Sequence, residues 1–456
     1  MAVANPPRVR PAFRRLAIVA IVLLAPIALH SAWDNYEARR LSQIVAEIRT
    51  RNEPITLLEK INADAESPLN AARYYEAAAA LIDARDLYGM TGLLHRVDYA
   101  TDAAHPQLVQ DIRSWLERNR EAEALLIRAT DLRFQGYAPG TAYNYRADRL
   151  SKLAKLAYLR TFERLDARNA ELASSALVQQ LRLNRPMTAS GPTELSIMGI
   201  SWTVTPALID IARWLEGRPS DNALVAVQEA IREIDHEKTL EGSLLAERAF
   251  MLRNVWNESQ NWYSSPRDVS NQPFWYVMRP WMARRFIQTI ELMNELLEQS
   301  RQPWPARLHV DAEDRPPGSS RTGPRSLLSD FGAFYHSLGT SYRSRAKNIA
   351  TALALARTAN AAIAIERYRR ANAGSLPTSL ETLVPDYLDR VPTDPFSGVA
   401  IRYVREPKRA VVYSLGANEK DDGGANVNYP VRQSGAFQAR SAPPDLGVRL
   451  TVSAPR

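Results

Sequence analysis

Four arginines, Arg8, Arg10, Arg14 and Arg15, stand just before fourteen residues without a polar side chain, Leu16–Leu29. Basic residues ahead of an apolar run hold their end of the chain in the cytoplasm. The rest of the chain is therefore expected on the far side of a membrane. The run falls short of the ~20 apolar residues that cross a bilayer, so a cleaved signal peptide is its direct rival. Cleavage after Ala32 would place His30 where a small side chain is preferred. The sequence thus favours an uncleaved transmembrane anchor over residues 16–33, with residues 1–15 as a cytoplasmic basic segment and Trp33 at the far interface.

The chain has 456 residues, 45% of them hydrophobic, which is enough for two or three domains with real cores. It contains no cysteine. Disulfides, thiolate metal sites, a cysteine nucleophile and an acylated lipoprotein cysteine are all excluded. The formal net charge is +8, and lysine contributes only seven of the 58 basic residues. Nucleic-acid binding calls for a basic patch with interleaved aromatics. Here the arginines alternate with glutamates along helical patterns, which describes a solvated helical surface and no nucleic-acid partner.

Residues 34–300 read as a helical body. Tyr36–Thr50, Leu69–Leu87 and Gln107–Phe134 carry apolar residues at helical spacing. Leu150–Leu165 and Ala170–Leu183 predict an antiparallel helical hairpin around Asp166–Asn169, with the small residues Ala167, Ala170, Ala173 and Ala176 suited to close packing. No repeat of fixed period accompanies it. Thr193–Glu216, Ser220–Lys238, Leu240–Asn257 and Arg284–Gln299 continue the helices. Between the last two, Trp262, Tyr263, Phe274, Trp275, Tyr276 and Trp281 suit wedges between helices, with a groove as the alternative. Prolines and glycines then mark residues 301–326 as a linker. Residues 343–372 follow the 3.6 period as one long helix, and Thr378 with Glu381 reads as a capping box opening a short helix through Val384. Val399–Arg405 and Ala410–Leu415 alternate as two antiparallel strands. The tail, 429–456, carries no pattern.

The C-terminal pieces coincide with a known arrangement. A long helix ends in Glu366-Arg367-Tyr368-Arg369, followed by Gly374-Ser375-Leu376-Pro377-Thr378, then Val391-Pro392-Thr393-Asp394-Pro395-Phe396, then Tyr413-Ser414-Leu415-Gly416-Ala417-Asn418. In order and spacing, residues 352–424 resemble the globular domain of the major pseudopilin of type II secretion. The resemblance implies a small α+β module over 340–428. It also implies a Ca²⁺ site in the loop after the last strand, formed by the Leu415 carbonyl with Asn418, Asp421 and Asp422. Oxygen-only ligands in a flexible loop suit that ion. Asn418 stands where the family usually has aspartate, and a solvated acidic turn is the alternative. A pseudopilin also begins with a short leader, a cleavage-site glycine and an early glutamate, and its helix runs straight into the globular head. Neither holds here, so an ordinary pilus subunit is not expected. The whole chain resembles a group of bacterial membrane-anchored proteins that place a helical body before such a module. That likeness implies the bacterial inner membrane with a periplasmic body, and no activity.

Catalytic motifs are missing from the sequence. The six histidines form no H-E-x-x-H or other close ligand pair, and there is no G-x-S-x-G, P-loop or dinucleotide fingerprint. Glu241 and Glu247, six residues apart, share a helical face poorly. The expected fold class is mainly α: an N-terminal transmembrane helix, a multi-helix body of helical hairpins and a small pseudopilin-like α+β module. The expected function is a non-enzymatic, membrane-anchored envelope protein acting as a scaffold or binding module for protein partners. The alternatives are an accessory of a type II secretion or type IV pilus-like machine, and a hydrolase with dispersed catalytic residues.

Overall fold

The computed structural model describes residues 11–55, 67–83, 85, 87, 106–135, 143–189, 200–234, 237–261, 272–309, 327–406, 409–424, 427 and 445–451. The protein is mainly helical, with an apolar N-terminal helix and one small antiparallel sheet near the C-terminus. Helix α1 runs unbroken over Pro11–Thr50. It is followed by α2 (Ala71–Leu81), α3 (Pro106–Arg118), α4 (Arg120–Asp131), α5 (Tyr143–Asp166), α6 (Ala170–Arg182) and α7 (Asn184–Ala189). A π-turn at Ile200–Val204 leads into α8 (Thr205–Ile209), α9 (Ile211–Glu216), α10 (Asp221–Arg232), α11 (Thr239–Asn261), α12 (Gln272–Ser300) and the 45-residue α13 (Leu327–Ala371). Strands β1 (Arg402–Glu406), β2 (Arg409–Ser414) and β3 (Leu446–Thr451) pair antiparallel in that order.

Local chemistry explains several of the boundaries. Helices α5 and α6 turn at residues 167–169, and the Asn169 side chain accepts the Leu172 N–H at 3.0 Å as an N-cap. The small-residue stripe lets neighbours close in. A Cβ at Gly217 would lie 3.0 Å from the Ala170 Cβ. Buried Trp214 donates its indole N–H to the Ala170 carbonyl and the Ser174 hydroxyl. Ser220 caps α10 by accepting the Ala223 N–H.

The stretch 107–134 is two helices rather than one. Asn119 breaks it: its amide nitrogen donates to the Trp115 carbonyl, and its oxygen accepts the Asp83 N–H from the end of α2. A side chain that competes for backbone partners ends the helix and ties two elements together. The long C-terminal helix starts at Leu327, sixteen residues before the expected Arg343. The capping box is displaced as well. Thr378 pairs with the Thr382 hydroxyl, while the short 3₁₀ turn Leu380–Leu383 begins after Ser379. The hydrogen bond from Ser379 holds the Glu381 carboxyl below its ordinary range. β3 is the fourth difference. It lies in the tail that carried no pattern, and it pairs Gly447 with Tyr413. A Cβ at Gly447 would sit 2.0 Å from the Val412 carbonyl oxygen, so only glycine fits.

Helix α13 is the common wall of the packing. Ala354, Ala359, Ala361, Ala362, Ile363 and Ala364 are fully buried. Their cluster continues without a break from α6, α8, α9 and α10 to the strands β2 and β3. Within residues 301–309, the start of the expected 301–326 linker, Trp304 and Leu308 are half-buried against this core. Trp304 lies against the core, donates its indole N–H to Glu237 at 3.1 Å, and with Pro305 closes over Gly398. Residues 310–326 lie outside the described residues. A second cluster joins α2, α3, α4 and α5 around Tyr75, Trp115 and Phe162. A third joins α1, α11 and α12 through Leu41, Ile44, Ile48, Met251, Phe286, Ile287 and Ile290.

One ion-pair network stitches these layers. Arg248 is fully buried and donates at 2.7 Å to both Glu53 and Asn294. Glu53 also accepts from Arg301 at 2.7 Å, and Arg301 reaches Glu241 and Glu298. Burial alone would raise the Glu53 carboxyl, but hydrogen bonds from Arg301 and Arg248 hold it below its ordinary value. That contribution to stability is present above the ordinary carboxylate range and is lost as the pH falls. Arg248→Ala leaves the Glu53 carboxylate with Arg301 and takes one charged donor from Glu53 and Asn294, and a loss of about 1.5–3 kcal/mol in unfolding free energy is expected. Denaturant melts of the two proteins check it; equal midpoints would contradict the structural role given to Arg248.

Candidate functional site

The site singled out by the sequence is the loop after β2, and the fold builds it from two sides. Asp394, buried in the Pro392–Pro395 turn, receives hydrogen bonds from the Ser414 hydroxyl at 2.7 Å and the Leu415 N–H at 2.9 Å. It also accepts the Phe396 N–H. The carboxylate fixes the point where the chain leaves the sheet. The chain then makes a 3₁₀ turn, Gly416–Asn418, and passes through left-handed backbone at Glu419, Gly423 and Gly424. Gly424 has no room for a side chain, since a Cβ there would meet the Val411 side chain at 2.7 Å.

The four residues implied by the pseudopilin resemblance are close in the chain but engaged separately. Leu415 is buried, its N–H committed to Asp394. The Asn418 amide donates to Asp422 at 3.2 Å and its oxygen accepts the Lys420 N–H. Asp421 turns back to the sheet, accepting from the Tyr413 hydroxyl at 2.9 Å and the Gly423 N–H at 3.0 Å, with Arg402 3.7 Å away. Burial and this bond together push the Tyr413 hydroxyl up to about 12.

A fifth residue arrives from the tail. Asp445 precedes β3 and is buried. One carboxylate oxygen accepts the Gly424 N–H at 2.7 Å, and the other, Oδ1, is buried without a hydrogen-bond partner. Burial raises its pKa above the ordinary value; the Gly424 and Asp422 N–H groups oppose this, and the Asp422 and Asp421 charges add to it. Sequence reading missed Asp445 because 21 residues separate it from Gly424 and nothing local marks it. Asp394 lay within the quoted motif, but its role as a brace appears only once Ser414 and Leu415 are folded against it.

The arrangement gathers hard oxygen donors, which suit Ca²⁺ better than a transition metal. Among the described residues, no group of three or more His, Asp or Glu side chains is already placed to hold a metal ion. The orphaned Asp445 oxygen beside two further carboxylates fits a cation in chemistry, while Asp421 and Asp422 point to other partners. Elsewhere, Glu241 and Glu247 do not form a carboxylate pair. Arg301 takes the first at 2.8 Å and Arg345 the second at 2.6 Å. An open cleft of about 410 Å³ is lined by Asp131, Leu132, Arg133, Phe134 and Arg185, with one carboxylate and no histidine among them. No protein-family model, curated protein or solved structure matches the chain.

Asp445 carries a pH signature. Its raised value means that the folded chain holds this proton more tightly than the unfolded chain does, so its contribution to stability falls as the pH rises through the carboxylate range. In metal-free buffer, Asp445→Asn should gain melting temperature relative to the unaltered protein between about pH 4 and pH 7. A difference in melting temperature that stays constant across that interval would remove the assigned role.

Proposed function

We propose that the chain is a single-pass, membrane-anchored envelope protein whose helical body works as a non-enzymatic scaffold or binding module outside the cytoplasm. The observation that carries this reading is the first half of α1. From Ile18 to Leu29 its large apolar side chains are 56–71% exposed on every side of the helix, whereas the body behind it has continuous cores. A lipid bilayer would relieve so large an apolar surface on a helix of this length. The continuity of α1 through Ala32 favours an anchor over a cleaved signal. Trp33 bonds Glu37 at 3.0 Å, and Asp34 pairs with Arg279 at 3.2 Å. A reporter active only outside the cytoplasm, fused after Arg456, is expected to be active. Activity of a cytoplasm-only reporter at the same place would reverse the topology, and a mature N-terminus at Trp33 would reject the anchor.

The C-terminal module supports a second reading, an accessory of a type II secretion or pilus-like machine. Its support is the packing of a long helix across an antiparallel sheet that ends in an acidic loop. On this reading the loop binds Ca²⁺ through the Leu415 carbonyl, Asn418, Asp421, Asp422 and the added Asp445. Neutral Asn418 supplies no charge, so an affinity in the ~10⁻⁴–10⁻³ M range of extracellular modules is expected. Millimolar CaCl₂ should raise the melting temperature of the full chain in detergent by mass action. The double substitution Asp421→Ala with Asp422→Ala should abolish the shift. No shift in the unaltered protein, or one that survives the substitutions, leaves the loop as a solvated turn.

A further inference from the structure

The anchor has a companion at the membrane surface. Helix α12 lies beside α1 and runs in the same direction. Its Val277 carbonyl contacts the His30 ring at 3.0 Å, Arg279 pairs with Asp34 at 3.2 Å, and Glu291 accepts from Arg40 at 2.6 Å. Further along, Leu41, Ile44 and Ile48 of α1 pack on Phe286, Ile287 and Ile290 of α12. The register fixes levels. His30 immediately follows the fully exposed apolar run, so α12 begins at or below the point where the anchor's bare surface ends.

Length decides what surrounds that point. Leu16–Leu29 spans only ~21 Å at 1.5 Å per residue, against a hydrocarbon core of ~30 Å. With the arginine flank fixed at the near side, the far boundary falls roughly six residues beyond Leu29. That boundary lies above His30, and so above the start of α12. Residues 272–276 extend roughly 7 Å further toward the anchor's apolar run, and they include Phe274, Trp275 and Tyr276. Val277 is 61% exposed there, and Trp33 and Tyr36 of α1, within two turns of His30, are exposed as well. Cations follow within two turns: Arg279, the exposed Arg284, and Arg285 stacked over Trp281 at 5.4 Å. Trp33, Tyr36 and Trp281 near the boundary, with arginines in the same turns, are the composition of a membrane interface.

We propose that the first turns of α12 are a second membrane-contacting element, inserted in the far leaflet beside the anchor, with a bilayer carrying anionic headgroups as its ligand. The proposal rests on α1 being a transmembrane anchor. Two parallel elements in the lipid would fix the tilt and rotation of the body relative to the membrane, which one helix alone does not.

The absence of cysteine makes the test direct. Nitroxide labels are placed singly at Val277→Cys, at Leu23→Cys in the anchor and at Gln43→Cys farther along α1, in the full chain reconstituted into vesicles of equimolar zwitterionic and anionic phospholipid. Collision rates with oxygen, which concentrates in lipid, and with a water-soluble nickel chelate are then compared. The expected result is an oxygen-dominated signal at Leu23 and at Val277 and a nickel-dominated one at Gln43. A nickel-dominated signal at Val277 with Leu23 in lipid overturns the inference and leaves the anchor intact. Shielding of Val277 from both reagents assigns this face to another protein or a second copy and overturns it too. A nickel-dominated signal at Leu23 removes the anchor reading and the inference with it.

Discussion

Enclosure of the middle of α13, residues 349–366, is the constraint on which the remaining packing depends. A helix that is apolar around its whole circumference has no solvent face and must be enclosed. The segment Tyr342–Ala371 is apolar and long enough to cross a membrane, yet 83% of its most apolar window is buried in the protein, against 0% for the corresponding window of α1. The helical body covers one side of it and the three-stranded sheet the other. Its alanines set the spacing: a small side chain at each contact lets helices and strands approach closely enough for the backbone itself to become part of the core.

Polar residues along α13 find specific partners where the apolar surface stops. Arg357 pairs with Glu237 and donates to the Thr393 carbonyl at 2.7 Å, which joins the body to the proline turn. Arg367 donates to Gln228, whose amide bonds Asn360 and the Tyr387 carbonyl. At the end of the helix, Arg370 reaches the Pro219 carbonyl and Asp221 at the start of α10. Glu366 is buried, which on its own would raise its pKa, but Arg369 and Arg370 hold the carboxyl below its ordinary value. A guanidinium offers several donors in a rigid fork, so one arginine ties together two or three elements. The arginine content that reads as surface charge in the sequence therefore also serves, at these positions, as connection between layers. The acidic loop is carried on the same frame, since Asp394 braces it from a turn that Arg357 holds to α13.

The sequence alone determined the features that depend on local periodicity and composition. The bare apolar run of α1, the mainly helical body, the hairpin at 167–169 and the strands β1 and β2 follow from residue patterns that act within a few turns of chain. The acidic loop with Asn418, Asp421 and Asp422 was singled out by the pseudopilin resemblance of residues 352–424, itself a match of residues at neighbouring positions. Tertiary structure decided what depends on distant neighbours. Asn119 ends a helix because its oxygen accepts the Asp83 N–H from another element, and β3 exists because β2 offers an open edge to a short segment with glycine at its crowded position. Asp445 joins Asp421 and Asp422 only after that strand has paired. Above all, two helices with similarly apolar windows met opposite fates, because apolar surface specifies that water must be excluded and not what excludes it. For α13 the neighbouring chain supplies that cover; for the first half of α1 it does not.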